Sequence, residues 1–164
     1  MPAHPKRFSH SRVVAFLGWP ADDRRCFFVA WGCLLTRRFR LRWGSPARLR
    51  ETLARATSSG AVSVDTETLT RTRRQMAVLH RAANHHVIDA NCLVRSMVGY
   101  DLLRRQGLRP TLRIGVARAG AGELAAHAWL ELAGEVINDA PDVATRFAPL
   151  GNASELPGAM SSWS

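Results

Sequence analysis

The chain has 164 residues, 46% apolar and 22% charged, a globular composition with room for one core of moderate size and not for two. Its longest apolar run, Cys26 to Leu35, is about half the roughly 20 residues of a bilayer span and is flanked by arginines, so neither a membrane helix nor a signal peptide is expected. The formal charge of +10 is uneven: residues 1–86 carry 16 Lys/Arg against 5 Asp/Glu, while residues 87–164 carry 7 against 8.

Twenty-two of the 23 cations are arginine, and neither zinc-finger spacing nor interleaved aromatic and basic residues accompany them. A solvated face or partner surface is therefore expected rather than a nucleic-acid site. Three cysteines make no disulfide framework; Cys26 and Cys33 read as small buried hydrophobes on one helix. A cytoplasmic protein is expected.

In chain order, residues 1–20 read as irregular. Asp22 and Asp23 can start a helix running to about Phe39, with arginines in its last turn where the macrodipole favours them. Ser45 as N-cap and Pro46 in the first helical position open a second helix, with Leu49, Leu53 and Ala56 on one face. A third is expected over about Thr66–His85, its stripe formed by Leu69, Met76, Leu79 and Ala83.

The second half changes character. "NCLVRSMVGYDLLRRQG" reads as an amphipathic helix closed by Gly107. Three antiparallel strands follow, "TLRIGVAR", "AAHAWLEL" and "EVIND", the first two separated by the loop "AGAGE". Residues after Leu150 have loop composition and are expected to form a flexible tail. The fold class is α+β, one domain overall: a basic, mostly helical region 1–70 packed on a core at 71–150, then the tail 151–164.

Asn91 is a good N-cap, which puts Cys92 in the first helical turn. Unpaired N–H groups and the macrodipole favour negative charge there, first on sulfur and then on an oxyanion. Alone, such a cysteine is better read as a buried structural residue at a helix start. A thiol nucleophile needs a base, and strand alternation puts His127 on one face with Trp129 and Glu131, opposite apolar Ala128, Leu130 and Leu132. That face suits a cleft, with Asn91 and Trp129 as candidate cleft or oxyanion support.

Asp139 is the third candidate. With a two-residue turn Ala133-Gly134, it falls opposite Ala128, on the wrong side of the sheet. A three-residue loop Leu132-Ala133-Gly134, with Gly134 left-handed, sets it opposite His127 and pairs Trp129 with Ile137 and Leu130 with Val136. The cost is Glu131 facing Glu135. The expectation is the three-residue loop and a Cys92–His127–Asp139 triad.

The ordered set "CLVRS", "LLRRQGL", "RIGV", "AHAWLEL" and the aspartate after "GEVI", within roughly residues 75–150, resembles the transglutaminase-like cysteine peptidases that remove the leader in lasso-peptide biosynthesis. The resemblance implies a transglutaminase-like or papain-like core, with Cys92 as nucleophile, His127 as general base and acid, and Asp139 as orienter. It implies no cofactor and a ribosomally made precursor peptide as substrate. Implied partners are a separate leader-recognition protein and an ATP-dependent lasso cyclase, for which the basic first half, Arg71, Arg73 and Arg74 included, is a possible docking surface.

Three other readings stand beside it. The same triad serves acyl transfer, as in transglutaminases and arylamine acetyltransferases. His80, His85 and His86 with Cys92, His127 and Asp139 include enough ligands for zinc, although their spacing matches no standard signature, and no metal is expected. A basic helical adaptor without activity is the third.

Overall fold

The computed structural model describes residues 16–43, 46–57, 63–85, 90–118 and 124–150. Among the described residues, the helices Ala21–Trp43, Pro46–Thr57, Thr66–Asn84 and Cys92–Arg105 precede a small antiparallel sheet, the α+β arrangement expected. Ser45, His86, the 119–123 loop and the residues before 16 and after 150 lie outside the described residues.

Helix α1, Ala21–Trp43, opens with Asp22 and Asp23 in its first turn and buries Ala30 and Leu34. It runs four residues beyond the expected end, because arginine and leucine are good helix formers and nothing before Gly44 breaks the pattern. Helix α2, Pro46–Thr57, starts on the expected proline and buries Leu53 and Ala56. Helix α3, Thr66–Asn84, begins where Asp65 accepts the Thr68 N–H at 2.6 Å, and it buries Met76, Leu79 and Ala83 along the expected stripe. Arg74 to Asp23 at 2.8 Å ties α3 to α1.

Helix α4, Cys92–Arg105, is capped by Asn91, whose Oδ1 accepts the Val94 N–H at 3.0 Å. It ends at Gly107, whose φ of 80° lets the Leu108 N–H return to the Leu103 carbonyl. Gly99 sits where α3, α4 and the sheet converge; a Cβ there would lie 2.8 Å from Leu130 Cδ1 and 2.9 Å from Met76 Sδ. Only glycine permits so close an approach.

Strands β1, Thr111–Arg118, and β2, Leu124–Leu132, form the long antiparallel pair. Strand β3, Glu135–Val136, joins β2 on its other side. A short helix α5, Val143–Arg146, leads into β4, Ala148–Pro149, which pairs with β1 and was not expected. The order is β3-β2-β1-β4. Leu112 and Ile114 of β1 and Ala128, Leu130 and Leu132 of β2 join Leu93, Val94, Met97 and Val98 of α4 in one core.

The hairpin differs from expectation. Leu132 pairs with Glu135 and Glu131 with Val136, so the loop is the two-residue Ala133-Gly134, both left-handed with φ of 53° and 82°. That turn matches the twist of the flanking strands. It also avoids the Glu131–Glu135 opposition: Glu131 instead meets Arg113 at 2.9 Å, and Glu135 meets Arg73.

The third strand is shorter than expected, stopping at Val136 before the chain bends through 137–139. The Ile137 N–H still donates to the Leu130 carbonyl at 3.0 Å. The reciprocal Leu130 N–H goes instead to the Asn138 side chain, Oδ1 at 2.6 Å. Past that point the β3 side of β2 is open.

Candidate active site

The end of α4 that carries Cys92 approaches this open stretch. Ladder alternation turns the Ala128 carbonyl toward the β3 side, where the Ser96 hydroxyl donates to it at 2.9 Å. Cys92, one turn earlier on α4, lies close enough to the imidazole of His127 to be the largest influence on its pKa. The thiol is half-buried, packed against the edge of the core.

On the other side of the ring, His127 Nε2 lies 2.6 Å from Asp139 Oδ2. With Nε2 committed to the carboxylate, Nδ1 is the nitrogen left for the sulfur. The three residues are therefore together, but not by the expected route. In the two-residue register a continuous strand would carry Asp139 to the wrong face; the bend after Val136 brings it back.

Each charge is held from several directions. Asp139 Oδ1 accepts from the Ala140 N–H at 2.7 Å and from Arg146 at 3.2 Å. Burial works to raise its pKa, but the hydrogen bond from His127, the Ala140 amide and the charge of Arg146 outweigh it and hold the carboxyl below its ordinary value. For His127, Cys92 is the largest influence; with Asp139 it raises the imidazole above its ordinary value, against the opposing effect of burial. His80, on α3, moves the other way: burial lowers it, and the charge of Arg95 adds to this against Asp139.

The imidazole also has aromatic cover. Phe147 stacks on it with centroids 4.7 Å apart, and the Trp129 ring lies near-parallel to it at 6.4 Å. Phe147 arrives on the unexpected α5–β4 segment, so the sequence reading missed it; its signal was the lone aromatic in "VATRFAPL".

Two expected support residues have different roles. Trp129 is fully buried, its indole N–H donating to Glu131 at 3.1 Å, so it backs the histidine instead of lining a cleft. Asn91 uses its side-chain oxygen to cap α4. A groove of about 730 Å³ lies between α3 and residues 136–141, with Met76, His80, Ile137 and Asp139 in its wall; Cys92 and His127 do not line it.

At Cys26, burial, then Asp23, pushes the thiol up. Among the described residues no group of three or more His, Cys, Asp or Glu could hold a metal ion, and His80 and His85 do not join Cys92 in one. No described helix is long and apolar enough to cross a membrane.

A cysteine opening a helix against a histidine on an antiparallel sheet, in an α+β core, defines a cysteine-based enzyme of the transglutaminase-like kind. The chain matches the Transglutaminase-like superfamily over residues 32–152 and belongs to that family. No curated protein and no solved structure matches it.

Proposed function

We propose that this chain is a cysteine endopeptidase that removes the leader from a ribosomally made lasso-peptide precursor. The observation that carries the catalytic reading is the place of His127, with Asp139 Oδ2 2.6 Å from its Nε2 and Cys92 near enough to raise its pKa. The choice of precursor rests on the sequence resemblance.

In this reading Cys92 Sγ attacks the scissile carbonyl carbon and its proton passes to His127 Nδ1. The tetrahedral oxyanion needs donors already in place. At the start of α4 the Val94 N–H is taken by Asn91 Oδ1 and the Arg95 N–H by the Asn91 carbonyl, so the amides of Cys92 and Leu93 are the ones left to serve. His127 then returns its proton to the departing core amine, leaving the leader as a thioester on Cys92. Water attacks that thioester with His127 as base, and the leader leaves as a carboxylic acid. Asp139 keeps the ring oriented and offsets its positive charge throughout.

The groove between α3 and residues 136–141 reaches the centre at Asp139 and is of a size that takes a peptide segment. A separate recognition protein delivers the leader, and an ATP-dependent cyclase uses the freed amine. The reaction belongs in the cytoplasm, where a free thiol stays reduced.

The test is mass spectrometry of a precursor peptide after incubation with the chain and its recognition protein. Free leader acid plus core peptide, absent with Cys92→Ala, is the expected result. A cross-linked or acylated product would instead assign the triad to acyl transfer. An unchanged precursor would overturn both.

A further inference from the structure

Ser96 and Asn138 belong to none of the catalytic steps, yet each sits beside members of the triad. Ser96 is four residues, one helical turn, after Cys92 on α4. Its hydroxyl donates to the carbonyl of Ala128, the neighbour of His127, and accepts from Asn138 Nδ2 at 2.9 Å. Asn138 directly precedes Asp139, and its Oδ1 accepts the Leu130 N–H. Ser96, Ala128, Leu130 and Asn138 are all buried.

We propose that Ser96 and Asn138 form a positioning clamp that fixes the Cys92 helix, the His127 strand and the Asp139 bend in one register; the inference rests on the catalytic reading above. The hairpin and the Ile137–Leu130 backbone bond join the His127 strand to the start of the bend, but no ladder continues to Asp139 and none reaches α4. Strand β3 ends at Val136, so β2 beyond it offers an unpaired carbonyl at Ala128 and an unpaired N–H at Leu130. The clamp fills both, one with a helix side chain and one with a side chain from the bend. A buried network in which every member is satisfied admits few geometries, whereas apolar contacts there would tolerate sliding. A slide of about 1 Å between sulfur and imidazole is enough to cost roughly 10²-fold in rate. Ser96 and Asn138 are positioning residues, acting through their neighbours.

The test follows iodoacetamide alkylation of the Cys92 peptide by mass spectrometry across pH, in the full chain. The part of the wild-type profile lost in His127→Ala measures the sulfur–imidazole contact. Ser96→Ala is expected to lower that part by about tenfold or more, with Asn138→Ala acting alike and the double variant no worse than either. Ser96→Thr, which keeps the hydroxyl, is expected to recover it. Leu53→Ala, a core truncation on α2 away from the site, serves as a variant of comparable stability loss and should keep the wild-type profile. A profile retained in both Ser96→Ala and Asn138→Ala, or lost equally in Leu53→Ala, would overturn the clamp while leaving the triad standing. A wild-type profile identical to that of His127→Ala would overturn the triad, and the clamp with it.

Discussion

His127 and Asp139 meet at 2.6 Å although the hairpin register, continued as a regular strand, would put them on opposite faces of the sheet. The contact exists because β3 is abandoned after Val136 and the chain turns on Asn138.

Removing the carboxylate should expose how much the ring depends on it. Asp139→Asn is expected to lower kcat/KM by about 10²–10⁴ while the fold persists, since Asn can still bond the ring but favours the wrong tautomer and supplies no charge. Steady-state kinetics with the precursor, alongside circular dichroism, checks this.

Cys92, and then Asp139, raise His127, and His127 in turn helps lower Asp139, so stability depends on pH. His127 is raised in the folded state, so its contribution is fully present below the ordinary histidine value of about 6.5 and is lost as pH rises through the folded value. Asp139 is lowered, so its contribution is present above the ordinary value of about 3.9 and is lost as pH falls through the folded value. Urea midpoints of wild type and His127→Ala should therefore differ most at mildly acidic pH and converge as pH rises past the folded histidine range. A difference that grows with pH would contradict the assignment.

Asn91 separates capping from chemistry. Asn91→Ala removes the acceptor for the Val94 N–H and should destabilise the chain by about 1 kcal/mol. Asn91→Asp keeps the cap but adds a negative charge beside Cys92, so stability should hold while attack on a carbonyl slows. Thermal midpoints and rates measured on the same two variants decide it.

Gly99 tests the packing that holds α4 against the sheet. A Cβ there would press on Leu130 and Met76, and Gly99→Ala is expected to cost about 1–3 kcal/mol as measured by urea unfolding. The thioether end of Met76 can move more readily than the buried Leu130, which favours the lower part of that range.

Phe147 covers the imidazole face. Phe147→Ala should remove stacking worth about 0.5–1.5 kcal/mol. Because the ring then gains access to water, the raised pKa of His127 should change, which an NMR titration of its ring protons reads directly.

The sequence made some of this site legible and hid the rest, for physical reasons. Asn91 and Cys92 follow a local rule, side-chain capping of a helix start, and stand where that rule puts them. The face of His127 follows from strand alternation, which is equally local. Asp139 lies against His127, but not through the three-residue register that reading "EVIND" as one strand implies; the bend depends on a side chain taking a backbone position in the ladder. Ser96 and Asn138 are 42 residues apart and neither is unusual for its segment, so their bond belongs to tertiary structure. Strand β4 has only two residues and contains a proline, too little pattern to read.

The central claim is that sulfur, imidazole and carboxylate work as one unit, and a double-variant comparison tests it most directly. Cys92→Ala and His127→Ala are each expected to lower kcat/KM on the precursor by about 10³-fold or more, and the double variant to be no slower than the worse of the two. Losses that multiply in the double variant would mean that the two side chains act independently, and the account would be wrong.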